Sequence, residues 1–345
     1  MRGGNQPFIL SRRAFCGAAI VAGGLLAGRV SDAASPALRE FPDDLFGIAA
    51  FDAGHLVAVG YHGTVKVSSD AGGTWTRIDF GSPELLRRVA ALDGGTAFTV
   101  GHQGSIFGSA DYGRSWTSLF SEPGLYLRAL AFTSPAAGWA VGHEGTILRT
   151  VDGGANWRRQ KIADYKGRDL PRLSGIAAFG PDHAIVVGEF GVVAETVDGG
   201  ANWRLLSYRQ CPTLTDIAVA RGEGLAVGLN GTLLRLVPGS VTSVDTGMTR
   251  HLLAASIAPD GRTLVAGQGA IFDWKAGGLK PAAVSGGFDM AHSWIGGVLG
   301  LPGGAAIGVG EHGAILRAAG ADAPFVLAGT TTVTASANSH EEAAP

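Results

Sequence analysis

The sequence predicts an all-β fold, a seven-bladed β-propeller, and two periodic signals predict it. A glycine pair that closes a short apolar run occurs seven times, with the first glycines 39 to 46 residues apart, and an eight-residue motif ending in tryptophan fills the first four of these intervals. Four strands of five or six residues plus their turns need about forty residues, which is the length of one propeller blade. Composition agrees. The 345 residues include 55 glycines with no G-X-Y period, set beside Val, Leu, Ile and Ala in short runs, so glycine here punctuates strands and does not mark collagen or low complexity.

The glycine ruler runs through Val59-Gly60-Tyr61-His62-Gly63, Val100-Gly101-His102-Gln103-Gly104, Val141-Gly142-His143-Glu144-Gly145, Val187-Gly188-Glu189-Phe190-Gly191, Val227-Gly228-Leu229-Asn230-Gly231 and Val309-Gly310-Glu311-His312-Gly313. A shortened copy is Ala266-Gly267-Gln268-Gly269. In the second unit the apolar runs place four strands, a to d, at Arg88 to Leu92, Thr96 to Val100, Ser105 to Ser109 and Ser115 to Leu119. Each Gly-x-x-Gly is then the turn from b to c, with glycines that permit positive φ on either side of a tight reversal. The last unit supplies its own fourth strand near Phe325 to Leu327.

The second signal, [ST]-x-D-x-G-x-x-W, lies between strands c and d of units one to four and is the Asp-box. It places Asp70 with Trp75, Asp111 with Trp116, Asp152 with Trp157, and Asp198 with Trp203. A short carboxylate can accept backbone N–H bonds across such a turn, and the tryptophan can pack between blades, so these eight residues are expected to be structural.

The ends differ from the repeats. Residues 1–35 read as a signal peptide of twin-arginine type: Ser11-Arg12-Arg13-Ala14-Phe15, an apolar stretch from Cys16 to Ala27, then Ser31-Asp32-Ala33 with small residues where a signal peptidase cuts. A general secretory leader is the alternative, and either route leads out of the cytoplasm. The apolar run is shorter than the roughly 20 residues a membrane-spanning helix needs. Residues 36–328 are the expected propeller, and 329–345 an expected disordered polar tail. Without the leader only Cys211 remains, so the fold is expected to stand on packing without an internal disulfide. Net charge is −2, and −5 without the leader, which gives no sign of a nucleic-acid partner.

Seven units of this length, early Asp-boxes, recurrent V-G-x-x-G turns and a twin-arginine-like leader resemble the photosystem II stability/assembly factor family, over roughly residues 40 to 328. The resemblance implies an exported, cofactor-free, seven-bladed propeller that binds a protein, in plants and cyanobacteria a newly made reaction-centre subunit at the membrane. It further implies an arginine-rich patch that holds the client. The positions matched to that patch are Arg87, Arg88, Arg128, Arg172 and Arg250, which stand at or just before strand a and are expected to form a basic arc around one channel mouth. Arg158 and Arg159, with Lys161, Lys166 and Arg168, are expected in a loop on the same side. Charge focused in a shallow mouth can steer an acidic segment even on an acidic protein. Units five to seven lack the Asp-box, and the sixth turn is short at Gln268.

Two other functions compete. A metal ring is conceivable at His62, His102, His143 and His312, but these sit in separate blades and are expected to be too far apart for zinc, so no metal is expected. Asp-boxes also decorate sialidases and other glycoside hydrolases, which makes hydrolysis or carbohydrate binding the rival reading. Most glycosidases need two carboxyl groups across the scissile bond, and Glu144, Glu189 and Glu311 are turn residues that offer no such pair. The expectation is a non-catalytic, monomeric, cofactor-free binding propeller in the periplasm, or in a thylakoid lumen in an oxygenic phototroph, with a membrane protein or membrane-bound complex as partner.

Overall fold

The computed structural model describes residues 43–275 and 278–330. The leader, residues 37 to 42 and the tail beyond Thr330 lie outside the described residues.

The described chain forms seven sheets, each of four consecutive antiparallel strands, the first extended by a fifth strand from the end of the described chain. Blade 1 holds β1 (Leu45–Ala50), β2 (Leu56–Gly60), β3 (Val65–Ser68) and β4 (Thr74–Ile78); blade 2 holds β5 (Leu86–Ala91), β6 (Ala97–Gly101), β7 (Ser105–Ser109) and β8 (Thr117–Ser121). Blade 3 is β9 (Leu127–Phe132), β10 (Gly138–Gly142), β11 (Ile147–Thr150) and β12 (Arg158–Gln160), and blade 4 is β13 (Leu173–Ala178), β14 (Ala184–Gly188), β15 (Val193–Thr196) and β16 (Arg204–Ser207). Blade 5 comprises β17 (Leu214–Ala220), β18 (Glu223–Gly228), β19 (Leu233–Val237) and β20 (Ser240–Val244). Blade 6 comprises β21 (Leu252–Ile257), β22 (Thr263–Gly267), β23 (Ala270–Lys275) and β24 (Gly278–Pro281), and blade 7 β25 (Ile295–Gly300), β26 (Ala306–Gly310), β27 (Ile315–Ala318) and β28 (Val326–Leu327).

Closure uses more than the expected fourth strand of blade 7. After β28 the chain crosses to blade 1, where β29 (Gly329–Thr330) pairs in parallel with β4, Gly329 opposite Thr74 and Thr330 opposite Trp75. The blade 7–blade 1 seam is sealed by Leu45, Leu56, Trp75, Ile307, Val309 and Ile315 in one apolar cluster, and Arg317 Nε donates to the Ala71 carbonyl at 3.0 Å.

The Asp-boxes close the c-to-d turns of blades 1 to 4 through a shared set of bonds. In the first, Thr74 N–H and Oγ1–H both donate to the Asp70 carboxylate at 2.8 Å, and Ser68 Oγ accepts from Gly72 N–H at 2.9 Å. The same geometry recurs at Asp111, Asp152 and Asp198. Each tryptophan packs toward the preceding blade: Trp75 on blade 7, Trp116 on blade 1, Trp157 on blade 2 and Trp203 on blade 3. Blade 5 replaces the box with the two-residue turn Pro238-Gly239, Gly239 at φ 78°.

The two glycines of each b-to-c turn have different jobs. Gly63 and the residue before it, His62, both take left-handed φ, 66° and 49°, and reverse the chain. Gly60 is extended, but a Cβ there would lie 2.1 Å from the Asp44 carbonyl oxygen. That contact is functional to the fold, since Tyr61 N–H donates to the same oxygen at 2.9 Å, and the equivalent bond ties turn to inner strand in every blade. The first glycine is therefore there for close approach, not for positive φ.

Candidate partner-binding mouth

The seven inner strands start alike. Leu45, Leu86, Leu127, Leu173, Leu214, Leu252 and Ile295 are fully buried. In all seven the register with the next strand shifts between this residue and the one two places on, the signature of a β-bulge. A bulge re-aims the side chain it carries, and here the intervening residues, Phe46, Arg87, Arg128, Ser174, Thr215, Leu253 and Gly296, all line one cavity of about 350 Å³. Arg88, Gln268 and Trp294 complete its wall. One register position of the repeat thus builds the mouth, on the face of the b-to-c and d-to-a connections, opposite the Asp-boxes.

The arginines in it are not equivalent. Arg88 pairs with Asp216 at 2.6 Å, a contact between the inner strands of blades 2 and 5. A second cavity of about 330 Å³, farther along the inner strands, also has Arg88 and Asp216 in its wall, so this ion pair borders both. Burial pushes the Asp216 carboxyl up, against the pull of Arg88 and the Ala255 N–H. Arg87 and Arg128, by contrast, have no hydrogen-bond acceptor or ion-pair partner among the described residues; the Nε of each is buried and unsatisfied. Arg87 lies over the Phe46 ring, 5.0 Å from its centroid. Burial, then the neighbouring Arg87, Arg172 and Arg88, pulls the Arg128 guanidinium down to about 10, so it remains a cation at neutral pH.

Two histidines adjoin this pair. His102 and His143 stand with ring centroids 5.8 Å apart, each in contact with Tyr126. The expected separation of the turn histidines fails for these two, because turns of adjacent blades converge toward the axis. Burial and then Arg128 lower His143 to about 4, and burial and Arg87 lower His102. Both are thus neutral near pH 7, with one buried ring nitrogen each left without a partner. His62 pairs instead with Asp43 at 2.8 Å. Among the described residues no group of three or more His, Cys, Asp or Glu is placed to hold a metal ion.

The expected basic arc is therefore corrected. Arg172 precedes its inner strand, is half exposed and is paired by its Nε to Glu189 at 2.6 Å, so it belongs to the rim. Arg250 stands two residues before its inner strand, exposed, with Nη1 on the Gly269 carbonyl at 3.3 Å. Arg158 and Arg159 lie on the outer strand β12, not in a loop, and Arg159 is paired with Glu122. The following connection, with Lys161, Tyr165 and Leu170, lines a separate cavity of about 380 Å³ together with Arg159 and Glu144. Of the arginines singled out, the mouth collects Arg87, Arg88 and Arg128, and of these three only Arg88 has an acceptor among the described residues.

What sequence reading missed is the opposite wall. Trp294 stacks on Phe46 with centroids 5.5 Å apart, and Tyr61 meets Phe46 edge-on at 5.2 Å. Aligning the seven inner strands on their buried first residue would have exposed this register position, though not Trp294, which precedes its strand. Chemically, the mouth offers charged and neutral donors beside an aromatic surface, and no carboxylate is among its lining residues.

Comparisons with known proteins bear on this geometry. No curated protein matches the chain. Among solved structures, one titled YCF48 bound to D1 peptide superposes with a TM-score of 0.63 at 16% identity, covering 81% of this chain and 92% of that one. YCF48 from Cyanidioschyzon merolae gives 0.64 at 18%, covering 81% and 96%. The GH74 xyloglucanase from Xanthomonas campestris gives 0.65 at 14%, covering 83% of this chain and 54% of the enzyme. At these identities the likeness establishes the seven-bladed fold. Residues 124–212, blades 3 and 4 with Arg128 and His143, match the family described as photosynthesis system II assembly factor YCF48, and this chain resembles that family.

Proposed function

We propose that this chain is a non-catalytic, exported binding propeller whose mouth holds an acidic segment of a client protein, and that it serves as an assembly or accessory factor for a membrane protein or membrane-bound complex. The observation that carries the reading is the pair Arg87 and Arg128, half-buried side chains that line an open cavity and each keep a buried Nε without an acceptor. A buried donor without a partner is costly, and a ligand carboxylate beside the two guanidinium groups returns that cost as charge-assisted hydrogen bonds. Arg88 takes no equivalent part, since Asp216 already neutralises it. A relative in fold is titled as bound to a peptide, which supports a peptide as the occupant.

The second reading, a carbohydrate-active propeller, is favoured by the fold likeness to GH74 enzymes. Against it, no carboxylate lines the mouth, and Asp216 and Glu189 on this side of the ring are each held by an arginine. A pull-down from native membranes by the purified protein and by an Arg87→Gln/Arg128→Gln variant separates the two. Capture of one membrane protein by the first and not the second is the expected result. Equal capture, or oligosaccharide binding with no protein captured, contradicts the proposal.

A further inference from the structure

The mouth is sided. Its blade 2 and 3 wall is cationic, while its blade 6, 7 and 1 wall is apolar: Leu253, then Trp294, then Phe46. The apolar wall is built, not incidental. Gly296 occupies the register position that carries a side chain in the other six blades, and a Cβ there would lie 2.7 Å from the Trp294 ring. Glycine at this place lets the indole lie over the mouth where blade 7 would otherwise project its own side chain. The short sixth turn contributes to the same wall: Gln268 bridges Trp294 through backbone pairing and lines the cavity. Arg87, stacked on Phe46, is where the two walls meet.

We propose that the mouth recognises a two-part element in its client: an acidic residue held by Arg87 and Arg128, and a bulky apolar or aromatic side chain two positions away, lodged against Phe46, Trp294 and Leu253. This rests on the reading that the mouth binds a peptide segment. The spacing follows from strand geometry, because residues i and i+2 of an extended peptide point the same way, about 6.5 to 7 Å apart, and Arg87 lies 5.0 Å from the Phe46 ring. A cavity of about 350 Å³ has room for two side chains. Charge alone would not need Trp294 and Gly296, and an apolar slot alone would not leave two guanidinium groups unpaired.

The test uses fluorescence anisotropy on the full chain with three capped peptides that share a Gly/Ser frame: one with Asp-Gly-Phe, one with Asp-Gly-Gly and one with Asn-Gly-Phe. The Phe peptide is expected to bind about tenfold tighter than the Gly peptide, from partial burial of one aromatic ring. Trp294→Ala is expected to bring those two peptides within about twofold of each other, and Leu253→Ser to narrow the ratio without touching the Phe46 stack. Comparing two peptides on one variant removes any effect of the variant on the amount of folded protein. Equal affinity of wild type for the Phe and Gly peptides overturns the two-part element and leaves the acidic-segment reading standing. Asn-Gly-Phe binding as well as Asp-Gly-Phe, or no peptide binding at all, overturns both. Displacement of the Phe peptide by phenylacetate at equal affinity would make the occupant a small aromatic acid and overturn the peptide.

Discussion

The two faces of this propeller are built on opposite uses of the repeat. On the c-to-d face, four blades carry the same carboxylate and the same hydroxyl in the same bonds, followed by a tryptophan packed between blades, and the outcome is a repeated turn. On the mouth face, a bulge repeated in seven blades presents six side chains and one glycine to one cavity, and the five side-chain types never settle into a pattern. Agreement among blades marks what holds the ring together. Disagreement at one register position gives the mouth its two unlike walls. Arg88 stands one residue beyond that position and crosses to Asp216, so it belongs with the scaffold although it borders the mouth.

The largest effect that would sharpen this division is at that ion pair. Arg88→Met leaves Asp216 buried without a counter-charge and is expected to cost about 3 kcal/mol of stability in chemical denaturation, most of it recovered in Arg88→Met/Asp216→Leu. An unchanged midpoint with lost peptide binding would return Arg88 to the binding group. Next, Arg128→Gln is expected to weaken an acidic peptide about 10- to 100-fold by titration calorimetry, the value of a hydrogen bond to a charged group. A smaller loss than that of Arg172→Gln would move the site to the rim.

On the scaffold face, Asp70→Ala removes cap-like bonds to Thr74 and is expected to lower stability by about 1–2 kcal/mol, seen in thermal melts, with peptide affinity intact. Lost binding with an unaltered melt would break the comparison at its other end.

The smallest effect is pH. His143, faced by Arg128, Arg172, His102, Tyr126 and Glu189, is lowered from 6.5 to about 4, so an unfolded chain takes up its proton first as pH falls. Stability attached to this group is complete above pH 6.5 and is lost as pH falls toward 4. A carboxylate arriving beside it relieves that suppression, so peptide affinity is expected to rise about twofold from pH 7 to 5, with His143→Gln flattening the profile. Affinity that falls over this range would mean that the ligand carboxylate does not reach His143.

Much of the architecture was legible because it depends on local chemistry. The glycine ruler reports the close approach of each turn to its inner strand, and the Asp-box reports a self-contained set of bonds, so both survive as sequence patterns. Strand d of blade 2 starts at Thr117, later than the apolar run suggests, because the box occupies the chain through Trp116. The site was legible only in part. Proximity to an inner strand pointed to Arg87, Arg88 and Arg128, but also to Arg172 and Arg250, since charge in sequence does not say which residue a bulge turns inward. The partner of Arg88 lies three blades away, and Trp294 reaches the mouth only because Gly296 has no side chain, a dependence between residues that neither reveals alone.

The most direct test of the account is site-specific photocrosslinking in native membranes, with a photoreactive amino acid at Gln268 in the mouth or at Asp93 in an exposed turn of the opposite face. The account predicts one client adduct from Gln268, lost when Arg128→Gln is added, and none from Asp93. An equal adduct from Asp93, or a Gln268 adduct indifferent to Arg128→Gln, would contradict it.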